Sequence, residues 1–176
     1  MSSSLPGKPA SGFGHYLRDV VYGALDGVVT TLAVVSGSAG AMLDPRIGLI
    51  LGLANLAADG VSMGASNYFA LKSELAQLGL PSATEQPWRH GLATTAAFVV
   101  AGTVPLLAYF VPRPASVSVL EIALVLSALT LSYAGAVRAA FVGQSRWRSA
   151  GEMLAIGAAA CSVAYAIGVI AERVLR

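Results

Sequence analysis

Gly52-Leu-Ala-Asn-Leu-Ala-Ala-Asp-Gly-Val-Ser-Met-Gly-Ala-Ser-Asn67 is the stretch whose reading decides the fold, because it places polar groups inside an otherwise apolar run. Asn55, Asp59, Met63 and Asn67 recur every four residues, so on a helix they form one slowly turning stripe of amide, carboxylate and thioether groups. Beside it run Gly48, Gly52, Gly60 and Gly64, the small-residue spacing that lets packed membrane helices approach closely. A carboxylate within a membrane span costs roughly 2.5–3.5 kcal/mol on insertion scales, so Asp59 reads as functional if this helix crosses a bilayer.

Composition says that it does. Of 176 residues, 56% are hydrophobic and 11% charged, and the mean hydropathy is +0.70, whereas soluble domains carry about 25% charged residues. Five stretches are long and apolar enough for about 30 Å of hydrocarbon: Tyr16–Ala41, Pro45–Lys72, Arg89–Val111, Ser118–Phe141 and Ser149–Ala171. The reading is an all-α integral membrane protein of five transmembrane helices. Residues 1–14, rich in Ser, Gly and Pro and without the apolar core of a secretory signal, read as a disordered lead-in. Residues 15–176 then form a single transmembrane domain. A net charge of +2 gives no argument for nucleic acid. The single Cys161 excludes a disulfide framework and reads as a small buried hydrophobe.

Punctuation supports the five spans. Asp44-Pro45 fits an N-cap followed by proline at the first helical position. Ser118 with Glu121, and Ser149 with Glu152, both fit the capping box. Pro105 inside the third span predicts a kink. Lys8, Arg18, Lys72, Arg89, Arg138, Arg146 and Arg148 fall on the side of the N-terminus, against Arg46, Arg113, Arg173 and Arg176 on the other, which favours a cytoplasmic N-terminus. Trp88 and Trp147 sit beside arginines at that end, as interfacial anchors do. The link from Ser73 to Trp88 is too short for a soluble metal-binding domain.

The first span holds a second acid, Asp26, about 15 Å from the start of its helix. Counted from Lys72, Met63 lies about 14 Å and Asp59 about 20 Å from the same side, which predicts Asp26 and Met63 at one level with Asp59 a turn beyond. Carboxylates with a thioether and the Asn55 carbonyl make a mixed hard and soft ligand set, suited to a first-row divalent ion such as ferrous iron or manganese. Acids that bind metal also release protons, so the same groups can couple the two movements. The plainer reading stays open: Met63 as apolar filling, Asp59-Gly60 as a polar hinge, Asn55 and Asn67 as hydrogen-bond partners between helices. His15 and His90 sit near predicted interfaces, where solvated or anchoring roles suffice.

Arg18-Asp-Val-Val-Tyr-Gly-Ala-Leu-Asp-Gly-Val-Val-Thr-Thr-Leu-Ala-Val-Val-Ser-Gly37, followed by Gly52-Leu-Ala-Asn-Leu-Ala-Ala-Asp-Gly-Val-Ser-Met-Gly64, resembles the vacuolar iron transporter family. The resemblance implies a dimeric, five-helix exporter that moves ferrous iron or manganese out of the cytosol in exchange for protons. It implies that Asp26 and Met63 match the family's pathway aspartate and methionine, and that the pathway runs between the first two helices of both subunits. The metal is then cargo, and no resident cofactor is expected. Plant and fungal relatives insert an acidic metal-binding region between spans two and three, which this chain lacks. A glutamate is common where Asn55 stands, so Asp59 is a candidate to replace it. The membrane would be the plasma membrane in a prokaryote and a vacuolar-type membrane in a eukaryote.

Readings from other classes have different requirements. A proton-coupled exporter of organic cations also needs an embedded acid, but only the aromatic ring of Tyr22 stands one turn from Asp26. A membrane scaffold needs no acids at depth. An enzyme is the weakest reading, since no His or Cys pair has metal-hydrolase spacing. The two glycine stripes, Gly23/Gly27 and Gly48/Gly52/Gly60/Gly64, exceed what one helix pair needs and predict a homodimer centred on the first two helices.

Overall fold

Each apolar run becomes a helix because a chain in hydrocarbon must satisfy its own backbone. The computed structural model describes residues 12–81 and 85–175. Its helices are α1 (Leu17–Gly40), α2 (Pro45–Gln77), α3 (Pro87–Leu106), α4 (Val119–Val142) and α5 (Arg146–Leu175). All five have the length and hydropathy of membrane spans. Large apolar side chains such as Ile50, Val61, Val125, Leu129, Val163 and Ile167 point outward, as lipid-facing surfaces require. The expected lead-in lies outside the described residues up to residue 11, and Gly12–Tyr16 forms a 3-10 turn ahead of α1.

Most of the punctuation performs as the residues dictate. Asp44 accepts from the Arg46 amide at 2.8 Å. Ser118 and Glu121 form a reciprocal capping box, with Ser118 N donating to Glu121 Oε2 at 2.7 Å and Glu121 N to Ser118 Oγ at 3.2 Å. Two boundaries differ from expectation. α2 runs five residues past Lys72, because Gly79 at φ +67° and the bond from Leu80 N to Leu75 O, 2.9 Å, are what end it. α5 begins at Arg146, so Ser149 is a buried residue inside the helix and no cap; its amide donates to Ser145 O at 3.0 Å, and its hydroxyl accepts from Arg138 at 3.1 Å. Glu152 accordingly pairs with Arg138 and Arg148. Pro105 acts as a terminator: α3 ends one residue later and tightens into the 3-10 turn Leu107–Tyr109.

The packing centre is α3. α1 shares its largest interface with α3, and α2 also packs on α3 more than on α1. A Cβ at Gly23 would stand 2.5 Å from the Thr94 carbonyl oxygen, and one at Gly27 would collide with the Phe98 backbone. On α2, Gly60 faces Val99 and Phe98, while Gly64 faces Thr95 and Gly91. The expectation that these stripes bring α1 against α2, with surplus for a second subunit, is met only at Gly48, which faces Ser38 of α1 and Tyr109; α3 takes up Gly23, Gly27, Gly52, Gly60 and Gly64 within one chain. Phe98, fully buried, joins Leu32, Val35, Leu56 and Leu106 in one core cluster. Val28, Ala101, Leu131 and Met153 form a second. Between helices in lipid these contacts stabilise by close packing, since lipid tails offer side chains an equally apolar alternative. Cys161 is half-buried, its sulfur 2.9 Å from Ser36 Oγ.

Candidate functional site

The shared neighbours on α3 fix the depth of each polar group. Gly27 and Gly60 both abut Phe98, which brings Asp26 and Asp59, the residues just before them, to one level. The two carboxylates, both half-buried, are close enough for their charges to act on one another. Met63 lies nearer the end where α1 begins; it lines a cavity of about 260 Å³ with Tyr22, Ser62, Ser66 and Asn67, and its other side packs on the Leu56/Phe98 cluster. The expected pairing is thus corrected by about one turn: Asp26 stands level with Asp59, and Met63 with Tyr22. The cause is the register of α2: Asn67 meets Asp19, the third residue of α1, so Lys72 lies past the start of α1 and depths counted from it come out about one turn too large.

The two asparagines of the stripe separate. Asn67 ties helices together: its amide nitrogen donates to Asp19 Oδ1 at 2.8 Å and to Thr94 Oγ1 at 2.7 Å. Asn55 has no such role. Its amide nitrogen is buried with no hydrogen-bond partner among the described residues, an open donor on the same face as Asp59. Thr95 fastens α3 to α2 by donating to Gly60 O at 2.9 Å, so the backbone beside Asp59 is pinned.

Sequence reasoning passed over Asp19. It is buried, with its Oδ2 2.5 Å from His90 Nδ1, and Arg18 stands 3.7 Å from its other oxygen. His90, read as an interfacial residue, is instead buried by this contact. The available signal was periodicity, since Asp19 precedes Asp26 by seven residues and so lies on the same face of α1.

One polar path therefore descends between α1 and α2 along α3, from Asp19 and Asn67 past Met63 to Asp26, Asp59 and Asn55. Such groups in a span can bind a cation and exchange protons, and are costly if they do neither.

The sequence pattern of the VIT family matches residues 17–79 and 74–169. The chain is 26% identical over an alignment of 212 positions, gaps included, to "Vacuolar iron transporter 1" of Tulipa gesneriana, covering 86% of this chain and 85% of that protein. It is 30% identical over 136 residues to "Vacuolar iron transporter homolog 4" of Arabidopsis thaliana, covering 70% and 69% respectively. Similarity to the "Vacuolar iron transporter" of Plasmodium berghei is higher, 39% over 60 residues, but confined to 34% of this chain and 22% of that protein.

Proposed function

Because the chain belongs to the VIT family, we propose that it is a divalent metal transporter that moves ferrous iron or manganese out of the cytosol in exchange for protons. It is an integral membrane protein by its five spans and its relatives. The observation that carries the reading is the pair of half-buried carboxylates, Asp26 and Asp59, at one depth inside two spans, with the Met63 thioether a turn away. Carboxylate oxygen selects hard divalent ions and thioether sulfur biases the set toward transition metals. A metal arriving between two acids displaces protons from them, and its departure lets protons return.

Asp26, Asp59, Met63 and Asn55 are each only partly covered by their own chain. Facing lipid, this stripe would be expensive; a second copy packed against the same faces of α1 and α2 would enclose it. A homodimer with a pathway between the first two helices of both subunits meets that requirement without the glycine stripes. The surplus of basic residues at the end where α1 begins supports a cytoplasmic position for that end. In a prokaryote the membrane is then the plasma membrane, and in a eukaryote a vacuolar-type one.

Purified protein in liposomes, with a metal-sensing dye and a pH dye, tests the reading. Manganese or ferrous iron should cross with counter-flow of protons, faster with an opposing proton gradient. Metal flux without proton flux would refute exchange, and no metal flux would refute transport of these ions.

A further inference from the structure

Outside the polar path, three donor groups meet where α1 and α3 begin. His15 Nε2 is 3.0 Å from Glu85 Oε2, His90 Nε2 is 3.9 Å from the same oxygen, and the three ligand atoms all lie within 4.8 Å of one another. We propose that His15, Glu85 and His90 form a binding site for one first-row divalent transition-metal ion, distinct from the Asp26/Asp59 level.

The state of His90 is the strongest support. Its residue is 5% exposed, and its Nε2 is buried without a hydrogen-bond partner among the described residues. Its Nδ1 meets an Asp19 carboxylate oxygen, so Nε2, which faces Glu85, is the ring nitrogen left to take a ligand. A histidine that donates one ring N–H to a carboxylate while the other nitrogen takes a metal is the usual arrangement of a ligating imidazole. Asp19 is itself fixed by Asn67 at 2.8 Å, which makes the support rigid. An ordinary ion pair between His15 and Glu85 accounts for those two residues, whereas at 3.9 Å the same Glu85 oxygen is too far to hydrogen-bond the buried His90 nitrogen.

Donor atoms bonded at about 2.0–2.2 Å to one ion lie roughly 3–3.5 Å apart. The observed separations need only a small inward movement, available to Glu85 and His15, whose side chains are 32% and 27% exposed. Two imidazoles and one carboxylate suit ferrous iron, zinc or manganese and are poor for calcium or magnesium, which take oxygen ligands. The remaining coordination positions would face a cavity of about 400 Å³ that also carries Arg18 and Glu74 on its wall, with room for water. Asp19 lies seven residues before Asp26, about 10 Å along α1, so the site is separate from the acid pair. Asn67 both holds Asp19 and lines the Met63 cavity, so an ion held here would stand next to the pathway. That staging role rests on the transport reading; binding itself does not.

Binding of Co2+ to the full chain in detergent micelles, after removal of any polyhistidine tag, tests the proposal without transport. The parent should show a tight site with the visible absorption of cobalt bound by imidazole and carboxylate, and Asp26→Asn should retain it. His15→Ala combined with Glu85→Gln should weaken that site on the order of a hundredfold. His15→Gln alone, a change at a partly exposed side chain, should weaken it at least tenfold and guards against a double variant that fails to fold. Unchanged affinity in His15→Gln would overturn the proposal, as would loss of all cobalt absorption in Asp26→Asn.

Discussion

The amide nitrogen of Asn67 on α2 donates to Oδ1 of Asp19 on α1 at 2.8 Å, and the same group reaches Thr94 on α3, so one side chain fastens three spans. Asn67→Ala leaves a buried carboxylate short of a donor, which costs about 1–3 kcal/mol. Thermal unfolding in detergent should therefore begin at a lower temperature than for the parent. An unchanged midpoint would mean the bond contributes nothing to stability.

Gly27 sits against the Phe98 backbone, while Gly151 has open space around it. Gly27→Ala should separate α1 from α3 and give little folded protein, because backbone cannot yield as a side-chain tip can. Gly151→Ala should be neutral or stabilise by up to about 1 kcal/mol, from helix propensity alone. Yield and size-exclusion profile distinguish the two; equal behaviour would remove α3 as the packing centre.

Asp26→Asn keeps size and hydrogen bonding but loses the charge that binds a cation and exchanges a proton. Transport should fall to background with the fold intact. Asp59→Asn should retain flux with altered apparent affinity, since the neighbouring Asp26 no longer shares its level with a second acid. Parent-rate flux of manganese and iron in Asp26→Asn would take that residue out of the mechanism.

Met63→Leu conserves volume and should cost less than about 1.5 kcal/mol. If sulfur is a ligand, uptake at low metal concentration should drop well below the parent rate, and cysteine or histidine at the same position should recover part of it. Leucine with unchanged apparent affinity for both metals would identify the methionine as packing against Leu56 and Phe98.

In a background lacking Cys161, Ser62→Cys on the exposed face beside Met63 should form an intersubunit disulfide in membranes. Val163→Cys, exposed on α5, should not. Crosslinking only through Val163→Cys would move the interface away from the polar path.

What lies within one helix or one turn was legible from the residues. The five spans follow from apolar length, the caps at Asp44 and Ser118 from side chains that reach backbone a few residues away, and the family from contiguous motifs in α1 and α2. Ser149 and Glu152 fit the same capping pattern, yet the helix already runs through them, because Gly135 of α4 packs against Ala150 and holds that segment inside the bundle. Glycine spacing announced close approach without saying to what; only the tertiary structure showed that α3 is the partner. Register decided the rest. Whether Asp26 stands beside Asp59 or Met63 depends on how far α2 slides past the start of α1, which the Asn67–Asp19 contact fixes, and His90 meets Asp19 across 71 residues. Local chemistry carries no record of which distant backbone fills a gap, so both the level of the acids and the buried histidine had to come from how the helices pack.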